Sequence, residues 1–286
     1  MDQDIIEVKI EANSYVFDCL ECGNPENPLV VLLHGFPESA IVYTRLMQDL
    51  SLLGYYCIAP NLRGYSAGAR PKGKSYYHLN HLTKDILEIV DSINKKDFHL
   101  IGHDWGAGIG WKLVHDYSSR ILSWTALSLP HLQAFFESIL TDKEQKVKSR
   151  YVNLFQIPYL PEWKLRSYDF KILRKLWSRQ SEKEIATYIG ICKEKYALTA
   201  MLNYYRASNK LYKSAKTQKV MGNIATPTLF IWGNRDIAIG RTAVSWSHKY
   251  MTGQYEFIEL DAGHWLLQTN YEKIMNAITN HLSNHS

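Results

Sequence analysis

Along most of this 286-residue chain, short aliphatic runs take turns with longer stretches of helical periodicity. A strand buried on both faces reads as continuous hydrophobicity rather than alternation, and residues 29–33, five aliphatics in a row, have that form. Strands are read at 5–10, 15–20, 29–33, 55–59, 98–101, 124–127, 228–232 and 255–260, and helices at 39–53, 79–94, 107–117, 241–250 and 271–282. Strands separated by helices pair in parallel through crossovers, and helices then cover both faces of the sheet. The expected fold class is therefore α/β, a mostly parallel, doubly wound sheet of eight strands that opens with an antiparallel pair.

The rhythm breaks once. From residue 131 to 216 helical periodicity rich in Lys, Leu and Tyr continues with no intervening strand, and strands resume after Pro227. We read this stretch as an inserted helical cap, which divides the chain into core residues 1–130, cap residues 131–216 and core residues 217–286. With 46% hydrophobic residues the chain can bury a large core. Its net charge of +5 comes without a basic stripe, so nucleic acid is not an expected partner. The densest basic cluster, Lys143, Lys146, Lys148 and Arg150, reads as a solvated helix face. The first residues lack a signal-peptide pattern, no run of 18 apolar residues suggests a membrane span, and a soluble, cytoplasmic protein is expected. Four cysteines are too few for a disulfide framework. Cys19 and Cys22 have Cys-x-x-Cys spacing but no second pair, so neither a metal nor another cofactor is expected.

The chemistry centres on Gly102-His103-Asp104-Trp105-Gly106, which joins a strand to a helix. A sharp turn framed by glycines lifts its central residue above the sheet edge, and in most enzymes with this turn that residue is serine. Here it is Asp104. Gly233-Asn234-Arg235-Asp236 places a second acid after the strand 228–232, and Ala262-Gly263-His264-Trp265 places a histidine after the strand ending at 260. All three fall at strand ends where open α/β sheets carry their sites, in the order nucleophile, acid, histidine. His34-Gly35-Phe36-Pro37 follows the buried strand 29–33, and there the backbone N–H of Phe36 can converge with that of Trp105 as an oxyanion hole.

These motifs, with His34-Gly35-Phe36-Pro37-Glu38-Ser39 and Trp232-Gly233-Asn234-Arg235-Asp236, closely resemble those of the soluble epoxide hydrolases of the α/β-hydrolase superfamily, over nearly the whole chain. The resemblance implies a cap that holds two tyrosines over the nucleophile. Matching contexts are Ser149-Arg150-Tyr151 and Leu202-Asn203-Tyr204-Tyr205-Arg206, and the implied pair is Tyr151 and Tyr205, with Tyr204 as the alternative to Tyr205. The implied substrates are a small apolar epoxide and water. An ionised carboxylate can attack an sp³ carbon with no base to deprotonate it, giving an Asp104 ester. His264, supported by Asp236, then draws a proton from the water that hydrolyses the ester.

Two other readings share these residues. A haloalkane or haloacetate dehalogenase would use the same Asp-His-Asp triad, with Trp105 available as a halide donor. The haloacetate form expects arginines just after the nucleophile, and residues 105–111 hold none. A catalytically silent binding protein of the same fold would normally lack a triad member. Phe135, Phe136, Phe155, Tyr159 and Trp163 are expected to line a largely apolar cavity.

Overall fold

A computed structural model describes residues 4–285. The chain runs through β1 (Ile6–Ala12), β2 (Tyr15–Cys22), β3 (Leu29–Leu33), α1 (Thr44–Leu52), β4 (Tyr56–Pro60), α2 (Leu79–Ser92), β5 (Phe98–His103), α3 (Trp105–Asp116) and β6 (Ile121–Leu127). Six helices follow: α4 (Leu132–Thr141), α5 (Lys143–Lys148), α6 (Arg150–Phe155), α7 (Leu160–Leu176), α8 (Glu182–Lys193) and α9 (Ala197–Ser214). Strands then resume with β7 (Thr228–Gly233), and α10 (Arg241–Trp246), β8 (Tyr255–Leu260) and α11 (Tyr271–Ser283) complete the order.

The eight strands form one sheet in the order β1-β2-β4-β3-β5-β6-β7-β8. β2 pairs antiparallel with both β1 and β4, and every other pairing is parallel. Along β3 the pleat sends Leu29, Val31 and Leu33 to one core and Val30 and Leu32 to the other, all of them buried. Helices cover each side. On α2, Leu82, Ile86, Ile89 and Val90 face the first core; on α11, Ile274, Ile278 and Leu282 face the second, each set at helical spacing. A fully buried side chain of this kind contributes about 2 kcal/mol.

Most expected boundaries shift by a residue or two, and three elements differ more. The helix read at 39–53 is a 3₁₀ turn, Ala40–Tyr43, followed by α1, and the helix read at 241–250 is α10 followed by a 3₁₀ turn, Ser247–Tyr250. β6 begins at Ile121, three residues before the aliphatic run suggests, with Leu122 turned outward. Cys19 and Cys22 stand three apart on β2, so the pleat sends them to opposite cores. No helix among the described residues is long and apolar enough to cross a membrane.

Candidate active site

The turn between β5 and α3 holds Asp104 at φ 49°, a left-handed backbone that side-chain-bearing residues seldom adopt. Packing imposes it. A Cβ on Gly106 would lie 1.9 Å from the Leu33 carbonyl oxygen, so only glycine lets α3 start this close to β3. Gly35 is equally constrained, since a Cβ there would sit 2.4 Å from that of Asp104.

That approach brings the loop after β3 onto the Asp104 carboxylate. The Phe36 amide donates to Asp104 Oδ1 at 2.8 Å, and Oδ2 lies 3.5 Å from His264 Nε2. Trp105 opens α3, so its N–H is among the donors that a helix start leaves without a partner in the helix. On the far side of the imidazole, Nδ1 is 2.8 Å from Asp236 Oδ2, while Asp236 Oδ1 accepts from the amides of Ala238 (2.7 Å) and Ile239 (3.0 Å). Burial alone would lower the His264 pKa, but the Asp236 and Asp104 carboxylates raise it well above the ordinary value. Burial likewise works to raise Asp104, and its interactions with His264, His103 and the Phe36 amide outweigh it and hold the carboxyl low. The resting pair is thus imidazolium and carboxylate.

Tyr151, from α6, and Tyr205, from α9, stand with ring centroids 5.9 Å apart. Both line two cavities, of about 420 and 330 Å³, that meet at Asp104. Burial and the neighbouring Asp104 charge raise both phenols, so they are protonated in the resting site. The Trp105 ring packs edge-on to that of Tyr205. Tyr204 points elsewhere: its hydroxyl donates to the Arg63 carbonyl at 2.6 Å, beneath Tyr77 and beside Trp105. Phe135 and Phe136 line the larger cavity and Phe155 the smaller. Tyr159 and Trp163, expected to join them, face outward instead, 85% and 68% exposed. The helical period of α7 turns Pro161 and Leu165 inward and leaves Trp163 on the opposite face.

Several supporting residues have roles that the sequence does not reveal, even where they lie inside its motifs. The His264 carbonyl accepts from Ser128 Oγ at 2.7 Å and from His103 Nε2 at 3.0 Å. His103 Nδ1 lies 3.3 Å from buried Glu38, whose other oxygen accepts from Gln180 and Gln268. Lys148, read as part of a solvated face, instead donates Nζ to the carbonyls of Asp236 and Ile239. Gln145, one turn earlier, donates to the Ala238 carbonyl at 2.8 Å and accepts from the Gly240 amide at 2.7 Å. The other three basic residues in that cluster, Lys143, Lys146 and Arg150, are exposed, and Lys146 and Arg150 also stand among the residues lining the larger cavity.

An acid at a strained strand-to-helix turn, a backbone amide on its carboxylate and a histidine backed by a second acid form the arrangement of a hydrolase. Residues 28–271 match the α/β hydrolase fold family. Epoxide hydrolase 4 of Homo sapiens is 30% identical over 273 residues, covering 91% of this chain and 74% of that protein. The chain belongs to the epoxide hydrolase family of the α/β hydrolase fold. Epoxide hydrolase A of Mycobacterium tuberculosis is 26% identical, covering 96% of each chain. In fold this epoxide hydrolase relative is similar to the Bacillus megaterium epoxide hydrolase crystallised with an inhibitor, with a TM-score of 0.88 and 24% identity over 96% of this chain and all of that one.

Proposed function

We propose that this protein hydrolyses small apolar epoxides to vicinal diols through a covalent Asp104 ester, beneath a cap formed by residues 131–216. The observation that carries the reading is the meeting of a carboxylate and two protonated phenols, Tyr151 and Tyr205, where two apolar cavities join. Oδ1 of Asp104 is held by the Phe36 amide, so Oδ2 is the attacking oxygen. It bonds to a ring carbon as the C–O bond of the epoxide breaks, and a tyrosine proton passes to the departing alkoxide. An alkoxide is about as basic as hydroxide, conjugate to water at about 15.7, and alkylation removes the Asp104 charge that is one cause of the raised phenols, so a phenol proton can pass to it.

Ester formation also changes His264. Once Asp104 is alkylated its charge is gone, and one of the two carboxylates that stabilise the imidazolium is lost. The imidazolium then gives its proton, by way of solvent, to the tyrosinate left by ring opening, and the neutral ring, still held by Asp236, can take a proton from water. Hydroxide adds to the ester carbonyl and the oxyanion forms on Oδ1 against the Phe36 and Trp105 amides; on collapse the leaving oxygen takes the proton from His264 and departs as the diol, and the carboxylic acid left on Asp104 returns its proton to His264 to restore the resting pair.

In the test, wild type and the variants His264→Gln and Asp104→Asn are incubated with a panel of epoxides and haloalkanes, with diol assay and intact-protein mass spectrometry. Wild type should form diol, His264→Gln should gain the substrate's mass and stall, and Asp104→Asn should do neither. Turnover without any adduct on His264→Gln would refute the covalent route, and haloalkanes consumed faster than every epoxide would move the chain to dehalogenation.

A further inference from the structure

The aromatic residues that the cavity leaves out form a surface of their own. Six large apolar side chains between Ile157 and Ile172 are exposed, and three of them are aromatic: Tyr159, Trp163 and Tyr168. Scattered exposed apolar residues are ordinary, but a contiguous set marks a contact surface. Tyr159, Leu160 and Trp163 fall on one side of the first turn of α7. Further along, Ser167 is extended and Tyr168, Asp169 and Phe170 all take left-handed φ of 50–59°. That break turns Phe170 into the core and leaves Tyr168 89% exposed.

Cations lie along the same segment. Lys164, Arg166, Lys171 and Lys175 are exposed on the same helix and have no ion-pair partner among the described residues. Of the two acids on α7, Glu162 is buried against Arg206 and Asp169 pairs with Arg174. The inner face of this helix lines the 330 Å³ cavity, and its exposed residues Lys164 and Ile172 stand at the rim.

We propose that the outward face of residues 157–175 docks on an anionic lipid surface, with the mouth of the smaller cavity beside the bilayer. Tyrosine and tryptophan settle at the headgroup level of membranes, and lysine and arginine around them are drawn to anionic lipid. A protein partner fits less well, because lysine is depleted in the cores of protein interfaces. A second copy of this chain fits worst, since a two-fold contact would set these cations against themselves. Delivery of an apolar epoxide from the bilayer to Asp104 rests on the function proposed above; the docking itself does not.

The test is sedimentation of the full chain with vesicles of phosphatidylcholine alone or mixed with phosphatidylserine, at low and raised salt. Wild type should pellet with the mixed vesicles and be released by salt. Tyr159→Ser/Trp163→Ser and, separately, Lys171→Glu/Lys175→Glu should each lower the affinity at least about tenfold. Both variants should keep wild-type turnover of a water-soluble epoxide in vesicle-free buffer. No pelleting, or equal pelleting by the variants, would overturn the proposal. So would a dimer in solution that Tyr159→Ser/Trp163→Ser dissolves while vesicles are ignored. Pelleting by a chain that turns over no epoxide would sustain the docking and count against the function instead.

Discussion

Tyr151 and Tyr205 differ in what holds them. Tyr205 is packed among Phe36, Phe155 and Trp105, whereas Tyr151 keeps more of its surface open to the cavities. Under the proposed mechanism either phenol can protonate the alkoxide, so each single Tyr→Phe change should slow epoxide opening. The double change should slow it by about 10²–10⁴-fold, the usual size of general acid assistance, measured as the single-turnover rate of ester formation. Phenylalanine preserves the packing, so an unchanged melting temperature would separate this loss from misfolding. Gly35→Ala makes a different prediction. The added methyl meets the Asp104 Cβ at 2.4 Å, so the variant should lose the Phe36 to Oδ1 contact and most of its turnover while its secondary structure, read by circular dichroism, survives.

Among the elements, α5 has the largest effect for its size. It is only six residues long, yet Gln145 and Lys148 on one face make four hydrogen bonds to residues 236–240, and its N-cap Asp142 accepts from Thr242 at 2.9 Å. The helix therefore pins the segment that carries Asp236 to the segment that leads into Tyr151. Lys148→Met strands two carbonyls, at a cost of about 1–3 kcal/mol each if they stay dry. Under the proposed mechanism the change acts through Asp236 on His264, so it should lower kcat by slowing ester hydrolysis and leave the ester-forming step nearly intact, with Lys148→Arg restoring part of the rate. Equal losses in both steps, measured by pre-steady-state kinetics, would show a merely structural role. The sequence makes little of this legible. Asp104, Asp236 and His264 stand out because each lies in the turn just after a strand, and strand ends can be read locally. Lys148, Ser128 and His103 do not, because their partners lie roughly 90 to 160 residues away and only the closed sheet brings them together. Tyr159 and Trp163 misled for a related reason: composition supplies aromatics to a region, but the start of α7 decides which side they take.

For the molecule as a whole, acid is the predicted weakness. Burial lowers His34, His99 and His281 to about 4 and His131 to about 3. His34 shows why, since Nδ1 donates to the Gly35 carbonyl and Nε2 accepts from the Leu62 amide, a pattern only the neutral ring can make. An unfolded histidine titrates near about 6.5, so the unfolded chain takes up these protons first as pH falls. The stability they confer is complete above about pH 6.5 and is lost on the way down to about pH 4, near 2 kcal/mol for each ring at about pH 5. His264 runs the other way: its raised pKa contributes stability below about pH 6.5 that fades as alkali removes the imidazolium proton. The melting temperature should drop by roughly 10 °C between about pH 7 and about pH 5, and His99→Gln should flatten the curve. A flat profile in wild type would show that these rings are solvated. One further consequence comes from the position of the six helices between β6 and β7. A ribosome releases β6 with its β5 edge already matched, but the partner for its other edge, Thr228–Gly233, follows only after all six helices have been made. Throughout that interval a strand bound for burial offers unpaired amides and apolar side chains to any neighbouring nascent chain, so it is during synthesis that its free edge is most open to mispairing.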